Sequence, residues 1–206
     1  CYSINCFHML ACEASVTFRA VAPISGMILQ DIVNTCNPSE EVSILEIHGT
    51  NDNVTFYDGD PNNTGGWGVY LGMAQTMALY NGLFNLTLQS TGNLPNTNTN
   101  DGSTVSYDKY GNPQSCTEVW LYTVNNGGHD WPGAWGNMGI EASREAWNFF
   151  AQLCSSDPTG IQEATQTKDR TLLKITDVLG RETKPKLGLV LLYHYSDGSV
   201  EKRVTQ

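Results

Sequence analysis

Charge is what this chain has least of. Only 16% of its 206 residues are Asp, Glu, Lys or Arg, against roughly a quarter in an ordinary soluble domain. Basic residues are the scarcer sign, 11 against 21 acidic, for a formal charge of −10. Nucleic-acid binding rests on Lys and Arg contacts to phosphate, so that class of function is excluded. No stretch of about 18 apolar residues occurs, so no helical membrane span is expected. The C-x-x-C pair is missing too, which argues against a zinc ribbon or a thioredoxin-type redox site. Neither an opening Met nor a charged-then-apolar leader is present. The chain, which begins at Cys1, therefore reads as processed or as a piece of a longer protein.

Neutral polar residues take the place of charge, as in the Asn/Thr-rich run Asn93 to Ser103. Six cysteines, at 1, 6, 12, 36, 116 and 154, are even in number and scattered, which fits disulfides in an exported protein. Charge is also uneven: residues 1–167 carry −13 and residues 168–206 carry +3. Such a step predicts two units. The small polar stretch 154–169, with Pro158 and Gly160, reads as the linker between a unit 1–153 and a unit 170–206.

Val16 to Ala22, Val42 to Ile47 and Glu118 to Val124 read as strands. The segments from Val69 to Tyr80 and from Ile140 to Leu153 read as helices. This alternation predicts an α/β layer architecture. Val42 to Ile47 is almost continuously apolar, as in a strand covered on both faces. Three strands make a small sheet with an exposed edge, so further strands are expected ahead of this sequence. In the second unit Leu172 to Leu179, Leu187 to Tyr195 and Val200 to Thr205 read as strands. Ser196-Asp197-Gly198 is expected to be a hairpin turn.

Two residues after successive strands draw attention. His129, in Gly127-Gly128-His129-Asp130-Trp131-Pro132-Gly133, sits on a sharply defined loop. An imidazole titrating near neutrality suits general base work, the other reading being a hydrogen-bonded loop histidine. Asp52 follows the second strand in His48-Gly49-Thr50-Asn51-Asp52. Carboxyl ends of strands gather ligands and catalytic groups in open α/β sheets. Asp52 there orients a histidine or, alternatively, caps a turn. His48 reads as a brace for the turn. Asp58, Asp60 and Asn62 resemble the start of a calcium loop, but Asn63 and Val69 stand where its Gly and Glu belong.

The order Asp then His is that of the α/β-hydrolase triad, whose serine comes first. The blocks Leu10-Ala11-Cys12-Glu13, Arg19-Ala20-Val21-Ala22-Pro23-Ile24-Ser25-Gly26, Ile47 to Asp52, Asp101 to Val105 and Gly127 to Gly133 follow one another. Together they resemble the secreted polyhydroxybutyrate depolymerase/feruloyl esterase family of α/β-hydrolases over about residues 9–153. The resemblance implies the C-terminal part of an α/β-hydrolase fold, with Asp52 and His129 as triad acid and base. It implies no metal or organic cofactor. Trp131 is a candidate to stack on substrate, whereas Trp135 is expected to pack within the loop.

The nucleophile departs from the family pattern G-x-S-x-G-G-[YF]-M-x-x-x-L-A-C. Here Cys1 to Cys12 reads C-Y-S-I-N-C-F-H-M-L-A-C. Ungapped, the serine position falls on Cys1; Ser3 fits only with two residues deleted, and lacks glycine neighbours. One oxyanion donor belongs to a loop expected ahead of this sequence. A chain truncated before or at the nucleophile is the expectation, Ser3 as the nucleophile being the alternative.

Leu173 to Glu182 and Tyr193 to Lys202 resemble a different family, the type IX secretion sorting domain of Bacteroidota, over 170–206. That implies export to the cell surface or medium and contact with the secretion machinery. The reading is thus a partial α/β-hydrolase with a small β-rich C-terminal domain. The esterase-family resemblance implies a secreted serine carboxylesterase acting on a polyester or an esterified polysaccharide. The alternatives are a catalytically inactive surface binding remnant and a serine peptidase on the same scaffold.

Overall fold

All of the Val42 to Ile47 run but its first residue lies in a strand, Ser43–Gly49, every residue of which is buried. The structure, a computed structural model, describes residues 6–112, 114–153, 171–177, 180–184, 190–196 and 199–204. In chain order the first unit contains α1 (Cys6–Glu13), β1 (Ala20–Val21), α2 (Gln30–Thr35) and β2 (Ser43–Gly49). There follow β3 (Gly59–Asp60), β4 (Tyr70–Leu71), α3 (Met73–Leu83), β5 (Thr87–Asn93), β6 (Thr104–Gly111), β7 (Glu118–Asn125) and α4 (Ala142–Gln152). The chain divides into two compact units, Cys1–Ser156 and Asp157–Gln206. The expected linker lies outside the described residues.

The main sheet runs β1-β2-β7-β6-β5. β1, β2 and β7 are parallel, whereas β6 and β5 add as antiparallel strands. Side chains alternate along a strand, so Ile44, Glu46 and His48 share one face of β2 and Leu45 and Ile47 the other. On the first face Ile44, Val119 and Leu121 pack with Met73, Met77, Tyr80 and Phe84 of α3 and its C-terminus. On the second, Leu45, Ile47, Tyr122 and Val124 pack with Ala142 and Phe149 of α4. Each such side chain contributes about 1.5–3 kcal/mol on burial. A helix on both sides is why β2 shows no polar alternation.

Three expectations need correction. The sheet of the first unit has five strands, not three, and β7 is no edge. The β5–β6 pair escaped notice because β5 buries none of its side chains and so carries no apolar period. Second, Val16 to Ala22 supplies only the two residues of β1. Val16 is three-quarters exposed, and the N–H groups of Thr17 and Phe18 return to the Ala14 carbonyl, closing the turn after α1. Third, the segment from Val69 to Tyr80 is helical only from Met73 onward, in α3, which continues to Leu83 and buries Met73, Thr76, Met77 and Tyr80.

Cys12 and Cys36 are joined by a disulfide, and Cys6 and Cys116 are likewise oxidised. The first bond closes a sequence separation of 24 residues. Loop closure of that size removes about 3 kcal/mol of unfolded-state entropy.

Parallel pairing of β2 with β7 brings the segments after both strands to the same end of the sheet. They interlock there: Thr50 N–H donates to Val124 O, Asn51 N–H to Gly127 O, and Asn126 N–H to the Thr50 hydroxyl. Gly49 makes that approach possible. A Cβ on it would lie 2.3 Å from Gly128 O and 2.4 Å from Gly127 O, both rigid backbone. Gly49→Ala is therefore expected to cost about 1–3 kcal/mol by overpacking. Urea unfolding of the variant checks this, and a midpoint equal to wild type would contradict the interlock.

In the second unit β8 (Leu172–Thr176), β9 (Val190–Tyr195) and β10 (Val200–Val204) form an antiparallel sheet in the order β10-β9-β8. Leu191, Tyr193 and Tyr195 alternate onto its apolar face. The Asp177 carboxylate accepts from Arg181 N–H and Nε, and Gly180 takes a φ of 80°, so Asp177, Gly180 and Arg181 form one closed turn. Asp197 and Gly198 lie outside the described residues. No helix among the described residues is long and apolar enough to cross a membrane.

Candidate functional site

Asp52 and His129 come from different loops, 77 residues apart, and meet. His129 Nδ1 lies 2.9 Å from Asp52 Oδ2. The two Asp52 carboxylate oxygens have different partners. Oδ1 caps the turn after β2, accepting from Val54 and Thr55 N–H at 2.8 Å each. Oδ2 faces His129, with Thr55 Oγ1 at 3.0 Å. Because the cap fixes the carboxylate plane, Oδ2 is aimed by the backbone rather than by a free rotamer. Thr55 Oγ1 also lies 3.0 Å from Ser25 O, and its single proton serves one of the two acceptors. Ser25 itself is buried with φ of 51°, an uncommon conformation for a residue with a side chain.

The Asp52 side chain is wholly buried, while that of His129 is 37% exposed. With Nδ1 against the carboxylate, Nε2 is the ring nitrogen that remains for another partner. Two turns shape the histidine loop. Gly128 N–H donates to Asp130 Oδ2, and Gly133 N–H to Asn137 O. Buried Asn137 in turn holds Ser103 Oγ at 2.6 Å and Gly139 N–H at 3.1 Å. Asp101 accepts from Ser103 and from Met138 N–H. The Asp101 to Val105 block thus braces the loop that carries His129.

His48 does more than brace a turn. Its ring is buried, with Nδ1 3.3 Å from Glu46 Oε1 and Nε2 2.8 Å from Thr55 O and 3.4 Å from Asp52 Oδ2. Burial alone would lower its pKa, but the Asp52 and Glu46 carboxylates and the Thr55 carbonyl outweigh this and raise it from 6.5 to about 10. Asp52 moves the other way. Burial would raise it, yet hydrogen bonds from His48, Val54 N–H, His129 and Thr55 N–H hold it well below the usual carboxylate range. Glu46, also buried, is lowered against its burial by His48 and His8. His8 Nε2 approaches Glu46 Oε2 to 3.2 Å but without hydrogen-bond geometry, and its Nδ1 lies 3.1 Å from Tyr80 OH.

These shifts set a pH dependence of stability. The His48 contribution is fully present below pH 6.5 and is lost as pH rises through about 10. Those of Asp52 and Glu46 are present above their ordinary values of 3.8 and 4.5 and are lost on acidification below them. The melting temperature is therefore expected to be highest between about pH 4.5 and 6.5 and to fall between 7 and 10. A His48→Gln variant that kept the same alkaline slope would contradict it.

Trp131 Nε1 donates to Ser143 Oγ at 3.2 Å, anchoring an indole that is 39% exposed. Trp135, expected to pack, is instead 58% exposed. Ser3 lies outside the described residues. A cavity of about 320 Å³ opens between the 94–97 and 138–145 segments, and neither Asp52 nor His129 lines it. The Asp60 carboxylate caps its own turn, accepting from Thr64 N–H, Thr64 Oγ1 and Gly65 N–H. Sequence reasoning missed Glu46, His8 and Thr55 as members of the network. Glu46 left a trace, an acid inside an otherwise apolar strand; Thr55 left none. Neither a protein-family model nor a curated protein matches this chain, so its chemistry rests on the geometry of the site.

Proposed function

We propose that this chain belongs to a secreted serine carboxylesterase of α/β-hydrolase type, similar to polyhydroxybutyrate depolymerases and feruloyl esterases. Asp52 and His129 are its acid and base. The observation that carries the reading is the 2.9 Å contact between a buried, capped carboxylate and a partly exposed imidazole, each just past the end of a parallel strand. A serine, for which Ser3 is the candidate in this sequence, attacks the ester carbonyl as its proton passes to His129 Nε2. Asp52 holds Nδ1–H, fixing the tautomer and balancing the imidazolium. Collapse of the tetrahedral adduct expels the alcohol, which takes the proton from His129, and water then releases the acid by the same route. The second unit serves export as a type IX sorting domain and takes no part in catalysis.

Esterase is favoured over peptidase because the blocks between about residues 9 and 153 resemble an esterase family, whereas triad geometry does not choose between ester and amide. Hydrolysis of a short-acyl p-nitrophenyl ester, beside the matching p-nitroanilide, decides between them. Turnover of the ester alone is expected. Turnover of the anilide at a comparable rate points to a peptidase, and no turnover of either points to a binding protein.

A further inference from the structure

Two imidazoles converge on one carboxylate oxygen, and only His129 among them is needed for a triad. His48 Nε2 stands 3.4 Å and His129 Nδ1 2.9 Å from the same Asp52 Oδ2. Both ring nitrogens of His48 face acceptors only: Glu46 Oε1 on one side, Thr55 O and Asp52 Oδ2 on the other. A carbonyl cannot donate. The Glu46 oxygen is itself engaged by Gly26 N–H at 3.2 Å. A neutral imidazole would turn a bare lone pair toward one of these oxygens, so the arrangement fits the ring with both nitrogens protonated.

We infer that His48 is a positioning residue for the Asp52–His129 pair, a buried imidazolium clamped by Glu46 that shares Asp52 Oδ2 and thereby sets the orientation and proton affinity of His129. The inference rests on the esterase reading for its consequence in catalysis. Two carboxylates and one cation are enclosed here, so the protonated His129 meets one net negative charge rather than two. Without His48 the Asp52 and Glu46 carboxylates would face His129 with no buried cation between them. The groups facing His48 are Glu46 from β2, and Asp52, the Thr55 carbonyl and the edge of Tyr57 from the loop after it, with Tyr57 at 5.9 Å between ring centres. Across Asp52 stands His129. Behind Glu46 stands His8 of α1, linked to Tyr80 of α3.

The test uses the full chain labelled with ¹⁵N-histidine, followed by NMR between pH 5 and 9, and a His48→Gln variant whose amide replaces the ring without its charge. In the unmodified protein both His48 nitrogens are expected to stay protonated through pH 8. In the variant the His129 titration, and with it the acid limb of kcat/KM for an aryl ester, is expected to move up by about one pH unit. A His48 ring with one bare nitrogen at pH 7, or a His129 titration unmoved in the variant, overturns the inference. If the variant does not fold, the ring signals of the unmodified protein decide. If the unmodified protein hydrolyses no ester, the esterase reading fails while both titrations still judge His48.

Discussion

Asp52→Asn is expected to lower kcat for ester hydrolysis by about 10⁴-fold while leaving the fold intact. The reason lies in how the two carboxylate oxygens divide their work. An amide keeps a carbonyl oxygen to accept from Val54 and Thr55 N–H, so the turn after β2 survives. Its nitrogen then stands where Oδ2 was, and presents a donor to His129 Nδ1. The imidazole must answer with a lone pair, which moves its proton to Nε2, the nitrogen that has to accept from serine. His129→Ala removes the base altogether and is expected to cost a similar factor. The double variant should lose little more than either alone, because the members of a triad act as a unit. Matched circular dichroism and melting curves would separate a lost reaction from a lost fold.

Glu46→Ala should be the most damaging single change to stability, at about 3–5 kcal/mol. It leaves the buried His48 cation with Asp52 as its one remaining carboxylate and Nδ1 without its Glu46 partner, and it unpartners Gly26 N–H. Replacing Glu46 and His48 together by Leu should recover part of that loss, since a well-packed apolar pair of similar volume competes well with a buried ion pair. The same double variant should remain impaired in catalysis. Urea unfolding of the two variants reads the difference, and a Glu46→Ala midpoint near wild type would show that the carboxylate carries no charge in the fold.

Much of this site was legible because two sequence signals coincide with strand ends. Gly-rich punctuation around His129 and the His48 to Asp52 block each mark a chain reversal, and parallel pairing of β2 with β7 brings such reversals together. The almost continuously apolar run of β2 predicts cover on both faces, which α3 and α4 supply. What failed was what carries no period. β5 lies outside the core, so nothing in Thr87-Leu88-Gln89-Ser90 signals a strand; its pairing with β6 is backbone chemistry, blind to side chains. The short β1 was overread because β branching at Val16 and Thr17 is compatible with an exposed turn as well as with a strand. Glu46 and Thr55 were invisible as site residues for another reason: their role depends on what lies across the sheet and the loop, which spacing along the chain does not encode.

If Asp52 and His129 activate a serine as proposed, that serine reacts selectively with an electrophilic ester analogue. The most direct measurement is covalent labelling with a fluorophosphonate, located by peptide mass spectrometry. In the full-length protein one serine per molecule is expected to be phosphonylated, with ester hydrolysis lost in step, and labelling is expected to vanish in His129→Ala. Ester hydrolysis that persists in His129→Ala, or that continues with no serine labelled, would contradict the account.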